Sequence, residues 1–402
     1  MSATIAAEKV EQAVGILADL GLDAWMTFAR ETTESGDPVL PLILGHPVTW
    51  QSAFIVTRGG DRIAIVGKYE DEAVMSTGAW TEVMPYVQGL REPLREVLGR
   101  LDPARIAINY STDDVKADGL THGLYLLLRE HLAGTPWLDR FESAGEVIRR
   151  LRGVKTSGEI ERIRAAIAAG DRIFQEVADT LGPGTSEAEV AHFMHERADD
   201  RGLGMAWERS QCPIVTTGPG SMVGHGIPSP DLHIRPGNVF HLDFGVVHDG
   251  YCSDIQRAWY VPDGGEAFPP AAVKKGFDTI VRAIEAAAAL VRPGAIGWEV
   301  DAAARKVIVD AGYPEYEHAT GHHVGRAAHD GGGVIGPRWE RYGRTPEFAL
   351  EAGNVVTLEL GIDELDGRGY LGLEEMALVT DDGFEWLSTP QRELPLLRHG
   401  GS

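Results

Sequence analysis

The chain has 402 residues, enough for about two domains with full cores. It carries 37 basic against 60 acidic residues, a net charge of −23 that repels phosphate backbones and anionic lipid surfaces, so neither nucleic acid nor membrane is expected as a partner. The two cysteines, Cys212 and Cys252, stand in no zinc-knuckle or CxxC spacing, which excludes a disulfide framework and a thiolate metal site from the expectations.

The opening stretch MSATIAAEKVEQAVGILADLGLD lacks a basic region before an apolar run and reads as an amphipathic helix to about Leu20, capped by Gly21. With no apolar run of about 20 residues, a cytoplasmic protein is expected. A strand in DAWMTFA, a hairpin SAFIVT/RIAIVG turning at Gly59-Gly60, a strand ARIAINY and a helix GLYLLLREHL follow, the alternation of an α/β unit. From Glu146 to Leu181 the residues Ile160, Ile163, Ile167, Ile173, Phe174 and Val177 recur at helical spacing. The start of this segment, near residue 150, is taken as the boundary between an N-terminal domain (1–150) and a C-terminal one (151–402).

The second part contains a weak internal repeat. Pro183-Gly184 and Glu189-Val190 match Pro293-Gly294 and Glu299-Val300 at a constant offset of 110, each copy being a Pro-Gly turn that opens an amphipathic helix. Each copy is followed by a hairpin bearing two carboxylates. In HLDFGVVHDGYCSDIQRAW, Asp249-Gly250 is a type I′ turn signal; a two-residue loop there pairs Asp243 with Gln256 and Asp254 with Gly245, which puts both aspartates on one face as diagonal neighbours. In GNVVTLELGIDELDGRGYLGLEEMALVT the turn Asp366-Gly367 sets Glu359 opposite Glu374. Like charges so placed are destabilising unless a cation neutralises them. Between the hairpins, EHATGHHVGRAAHDGGG supplies His318, His322, His323 and His329, of which His318 and His322 share a face. Four carboxylates with imidazole and no thiolate suit a pair of divalent ions, Mn, Zn, Co or Fe, able to activate a water and polarise a carbonyl. His323, His241 and His248 read as structural or solvated, and Tyr251, Trp259 and Phe244 as core or wall.

The series Asp243, Asp254, GHHVG with a further histidine, NVVTLELG and GLEEMALVT resembles the pita-bread metallopeptidases, in the aminopeptidase P and prolidase branch, over roughly residues 145 to 385. The resemblance implies an α/β N-terminal, creatinase-like domain followed by an α+β C-terminal pita-bread (creatinase/aminopeptidase) domain with a pseudo-twofold internal repeat. It implies Asp243 as ligand of one metal, His322 and Glu359 as ligands of the other, and Asp254 and Glu374 as bridges. Glu359 is also the implied general base, while His225, His318 and His329 are similar to the family's substrate-side histidines. Arg344, one inserted residue aside, sits where a prolidase grips the dipeptide carboxylate.

The implied activity is hydrolysis of Xaa-Pro bonds in small proline-containing peptides, by a homodimer, with Xaa-Pro dipeptidase ahead of aminopeptidase P. The alternatives are a non-peptide amide hydrolase of the same fold, such as ectoine hydrolase, and a non-catalytic binding module, which the intact ligand positions disfavour. Two departures from the family pattern, Leu360 for the usual Pro and Gly372 for a common Arg, leave every ligand position in place.

Overall fold

The computed structural model describes residues 4–33, 36–224, 226–363 and 365–398, and the chain divides into two compact units, Met1–Arg152 and Gly153–Ser402. In the first unit the order is α1 (Ile5–Leu20), β1 (Ala24–Ala29), α2 (Leu40–Ile43), β2 (Ser52–Thr57), β3 (Arg62–Gly67), α3 (Asp71–Ser76), β4 (Glu82–Tyr86), α4 (Arg91–Leu101), β5 (Ile106–Ile108), α5 (His122–His131), β6 (Phe141–Ser143) and α6 (Gly145–Gly153). Helix α1 starts at Thr4, whose side chain accepts from the Ala7 N–H, and ends at Gly21, which takes the left-handed φ of 65° that a side chain would disfavour. The strands form one mixed sheet in the order β4-β3-β2-β1-β5-β6. Strands β1 and β2 are buried along their whole length, and mostly apolar, because both faces are covered. Trp25, Phe54 and Val56 pack with Val10, Ala13 and Leu17 of α1, while Met26, Phe28 and Ile55 pack with Leu94 and Leu98 of α4 and Leu124 and Leu128 of α5.

The expected helix across Glu146–Leu181 is interrupted. Helix α6 stops at Gly153, and α7 (Ser157–Thr180) begins afresh at Thr156, whose side chain and Glu159 form a reciprocal capping box. Between them, Val154 bridges Asn354 and the Lys155 N–H donates to the Gly353 carbonyl at 2.8 Å, so these residues spend their backbone on a strand-like contact within the second unit.

The second unit continues with α8 (Glu187–Asp199), β7 (Gly204–Met205), β8 (Ile214–Thr216), β9 (Val239–Phe244), β10 (Val246–His248), β11 (Tyr251–Cys252), β12 (Ile255–Tyr260), α9 (Ala271–Ala288), α10 (Gly297–Asp310), β13 (Gly321–His322), β14 (Val334–Ile335), β15 (Val355–Ile362), β16 (Leu371–Val379) and β17 (Phe384–Trp386). The main sheet runs β15-β16-β12-β9-β8, with β17 beside β16. The repeat read from sequence has a structural counterpart. Gly184 and Gly294 both adopt positive φ (97° and 85°), and both donate their N–H at 2.8 Å, to Ile234 and Leu350 respectively. Ser186 and Ile296, again 110 apart, each form a single antiparallel bridge, to His233 and Ala349. A helix follows each turn, and the two hairpins meet at the sheet centre through the pair Gln256 and Glu374.

Side-chain alternation gives this sheet two different faces. Phe244 packs edge-on to Phe174 of α7 at 5.8 Å, and Phe240 lies against Trp259; Leu358, Leu360 and Leu373 pack with Phe277, Ile280 and Ile284 of α9. Leu360, one of the departures noted in the sequence, is thus a fully buried core residue. The opposite face carries Asp243, Gln256, Glu374 and Glu359.

Both hairpins have the expected register. Asp243 pairs Gln256, Glu359 pairs Glu374, and both turn aspartates (φ 48° and 53°) and their glycines adopt the positive φ of a type I′ turn. The first hairpin is not continuous, however. Its ladder breaks at Gly245 and at Ser253-Asp254, and its outer part joins β7 in a separate three-stranded sheet, β11-β10-β7. Gly245 causes the bend: its carbonyl is taken by the Ala206 N–H at 3.0 Å, and a Cβ there would run into the Ser253 carbonyl and lie 2.7 Å from the Ala206 Cβ. Gly245→Ala is expected to destabilise the protein by about 1–3 kcal/mol, the usual cost of overpacking against backbone. Denaturant melts check this; a midpoint equal to wild type would show that the bend has slack.

Candidate metal centre

Three of the carboxylates singled out in the sequence converge on one atom of His322. The Nε2 of His322 lies 3.8 Å from Asp254 Oδ2, 3.6 Å from Glu359 Oε1 and 3.8 Å from Glu374 Oε1. Ligand atoms of Asp254, His322 and Glu374 all fall within 4.8 Å of one another. Three pieces of local structure produce this. The I′ turns fix the hairpin registers, the bend at Gly245 frees Asp254 from its ladder, and the short β13–β14 pair, with the Glu359 N–H donating to Thr320 at 2.7 Å, lays His322 against β15.

The other ring nitrogen decides the chemistry of His322. Its Nδ1 is 3.1 Å from the Ala328 carbonyl, which can only accept, so Nδ1 carries the proton. Burial holds the imidazole pKa down to about 3, helped by the neighbouring His329, so the ring is neutral and Nε2 presents a bare lone pair to three carboxylates. Acceptors facing acceptors in a buried site call for a cation between them.

The carboxylates point the same way. Burial pushes Asp243, Asp254 and Glu374 well above the ordinary carboxyl range, with mutual repulsion raising each further, and takes Glu359 up to about 7. Asp243 Oδ1 and Glu374 Oε1 are buried with no hydrogen-bond partner. Oxygen-rich donors, one imidazole and two orphaned carboxylate oxygens fit divalent cations. Asp243 stands one strand further across the sheet, opposite Gln256, in the electrostatic field of Glu359 and Asp254.

The remaining expected residues are dispersed. The His329 ring meets His322 edge-on at 4.3 Å and is exposed, placed to touch a ligand of the centre. His318 is exposed, 5.6 Å from the Tyr316 ring, and Arg344 is exposed in a turn ahead of β15. His225 lies outside the described residues. His323 and His241 are buried, whereas His248 is partly exposed beside Asp249; Tyr251, Trp259 and Phe244 are buried, as read.

Other contributors carry no motif. Gln256 Nε2 donates to Glu359 Oε2 at 2.9 Å. Asp301 holds Arg305 and the Thr320 hydroxyl at 2.8 Å each, and Arg305 in turn donates to the His318 carbonyl at 2.7 Å, which steadies the run into His322. Lys155 and Asp330, both almost fully buried, pair at 3.3 Å behind the loop that supplies Ala328. Gln256 left a trace in the sequence, as the register partner of Asp243; Asp301 and Arg305 are an i,i+4 pair on α10, but their links to Thr320 and His318, like the pairing of Lys155 with Asp330, depend on contacts further along the chain.

The profile of metallopeptidase family M24 matches residues 161–381. A probable dipeptidase PepE of Mycobacterium tuberculosis (strain ATCC 25618 / H37Rv) is 34% identical over 243 residues, which span 60% of this chain and 60% of that relative. Among solved structures, an Xaa-Pro dipeptidase from Bacillus anthracis matches with a TM-score of 0.74 and 25% identity, covering 98% of this chain and 100% of that one. An X-Pro aminopeptidase from Thermotoga maritima MSB8 matches with a TM-score of 0.71 and 23% identity, covering 96% and 99% of the two chains, a likeness of fold alone. The converging carboxylates, the paired hairpins and the profile match agree: the chain belongs to metallopeptidase family M24 and has its pita-bread fold.

Proposed function

We propose that this protein is a dinuclear metal-dependent peptidase that hydrolyses Xaa-Pro bonds, acting on dipeptides. The observation that carries the reading is the bare Nε2 of His322 facing three carboxylates, of which Asp254 and Glu374 are buried and Glu359 half-buried. Asp243 and Asp254 would hold one ion, His322 and Glu359 the other, with Asp254 and Glu374 shared. Divalent ions held there supply Lewis acidity toward the scissile carbonyl and acidify a water. Glu359, its carboxyl kept near neutrality by burial, takes the proton of the attacking water. His329, exposed against His322, is positioned to donate to the developing oxyanion or leaving nitrogen, and His318 and His225 are assigned to the same side. An Xaa-Pro bond has no N–H and a fixed φ, so a site that recognises it works through the carbonyl and the chain ends. The similarity to an Xaa-Pro dipeptidase and a probable dipeptidase supports the dipeptide reading. The second reading, an Xaa-Pro aminopeptidase, is favoured by one observation, the exposure of Arg344.

Asp254→Ala is expected to lose both ions and abolish hydrolysis, because a shared ligand serves each. Metal analysis checks this; two ions per chain retained in the variant would remove Asp254 from the ligand set.

In the chelated protein, Glu359 keeps its proton up to about pH 7 when folded but releases it near its ordinary value of 4.5 when unfolded. Stability is therefore present below about pH 4.5 and lost as the pH rises to about 7, and the raised carboxyls beside it act in the same direction. The metal-free melting temperature is expected to fall across that window, less steeply in Glu359→Gln, and Mn²⁺ is expected to remove the fall. A flat profile in the chelated wild type would refute buried, uncompensated charge. Glu359→Gln is also expected to lower kcat by roughly 10²-fold or more.

Arg344→Ala decides between the two readings. Losing a charge-assisted pair with the dipeptide carboxylate, worth about 1.5–3 kcal/mol, should cut kcat/KM on Xaa-Pro by roughly 10- to 150-fold and leave Xaa-Pro-Yaa much less affected. Equal losses on both substrates, or none, would favour the aminopeptidase.

A further inference from the structure

Asp243, Gln256, Glu374 and Glu359 form a single row across four adjacent strands, each opposite the next in register. Gln256 is the one uncharged member. Its amide reaches past its neighbour strand: Nε2 donates to Glu359 Oε2 at 2.9 Å on β15, while Oε1 lies 3.0 Å from His241 Nε2 on β9. The donor assignment follows from chemistry. Ionised, as a metal ligand must be, Glu359 only accepts, so the amide nitrogen faces Glu359, the amide oxygen faces His241, and His241 carries its proton on Nε2. Its Nδ1 then faces the Thr216 hydroxyl at 3.5 Å, which completes a chain Thr216–His241–Gln256–Glu359.

A side chain on β12 can cross β16 only where β16 has none in the way. That position is Gly372, where a Cβ would collide with Gln256 Oε1 and lie 2.7 Å from Tyr370 Cε1. With Oε2 of Glu359 held by the amide, the other oxygen, Oε1, is the one turned toward His322 Nε2 at 3.6 Å.

We propose that Gln256 is a positioning residue, which fixes Glu359 so that one oxygen only is presented to the metal centre, and that Gly372 is the gap that lets it do so. The inference rests on the metallopeptidase reading above. Groups that orient a ligand from behind commonly change metal affinity by roughly 10- to 100-fold.

The test uses the full chain, stripped of metal and titrated with Co²⁺, with calorimetry for affinity and visible absorption for ligand geometry. Gln256→Leu removes the amide; Gly372→Ala keeps the amide but displaces it. Each is expected to weaken one of the two Co²⁺ ions roughly 10- to 100-fold, to alter the Co²⁺ spectrum in the same way, and to lower kcat on Xaa-Pro more than it changes KM. The double variant is expected to be no worse than either single one, since both break the same bond. Wild-type affinity and spectrum for both ions in Gln256→Leu would overturn the proposal, and so would independent, multiplicative losses in the double variant. A wild-type chain that takes up no Co²⁺ would instead overturn the metal-centre reading on which the proposal stands.

Discussion

The second unit is organised around the concentration of like charge on one face of its sheet. Three ionised carboxylates with oxygens within 3.8 Å of a single neutral imidazole nitrogen would repel one another strongly, and the single amide donor, Gln256 to Glu359, offsets only part of that repulsion. The cluster holds its shape because its backbone is set elsewhere, by four hydrogen-bonded strands in fixed register and by the apolar packing of the opposite face. Asp243, Glu359 and Glu374 are held in place by Phe244, Leu358 and Leu373, their neighbours in sequence, which are buried against helices. The site can therefore be unfavourable for protein atoms alone and still be well defined, which is the condition for binding cations tightly.

The loops that complete the centre are tied down by buried polar groups rather than by apolar contacts. The Asp301–Arg305 pair reaches carbonyls on the run into His322, and the Lys155–Asp330 pair stands behind the turn whose Ala328 carbonyl sets the His322 tautomer. Glu187 accepts from Thr217, Ser221 and the Ser229 N–H at 2.6 to 3.1 Å, gathering the strand end and loop that precede the first hairpin. Each such group has its partners supplied, so each fixes backbone without leaving an unpaired charge. Under the proposed function the protein would need this rigidity, because a water, a base and a scissile carbonyl react only when held to a fraction of an ångström.

Duplication explains why the ligands come in pairs. Two turn-helix-hairpin units contribute one hairpin each, and the inner strands, β12 and β16, lie side by side at the centre. A site on such an axis receives equivalent positions from both halves, while the histidine, which comes from the short β13–β14 pair of the second half, breaks the symmetry and makes the two cation positions different.

Much of this was legible because it follows from local rules. A type I′ turn of Asp-Gly fixes a hairpin register through backbone geometry alone, so the pairings of Asp243 with Gln256 and of Glu359 with Glu374 could be read from the sequence, as could the Gly21 cap that ends α1 and the alternation of the sheet. What local rules could not supply was long-range. The break after Gly153 arises because Val154 and Lys155 bond to residues 353 and 354, and the bend that frees Asp254 arises because Gly245 is pressed against Ser253 and Ala206. The crossing of Gln256 to Glu359 depends on the missing side chain of Gly372, two strands meeting only after folding. Sequence determined which residues share a face, because that is a property of each hairpin; tertiary structure decided which atoms touch, because contacts between hairpins and loops depend on how separately formed pieces pack.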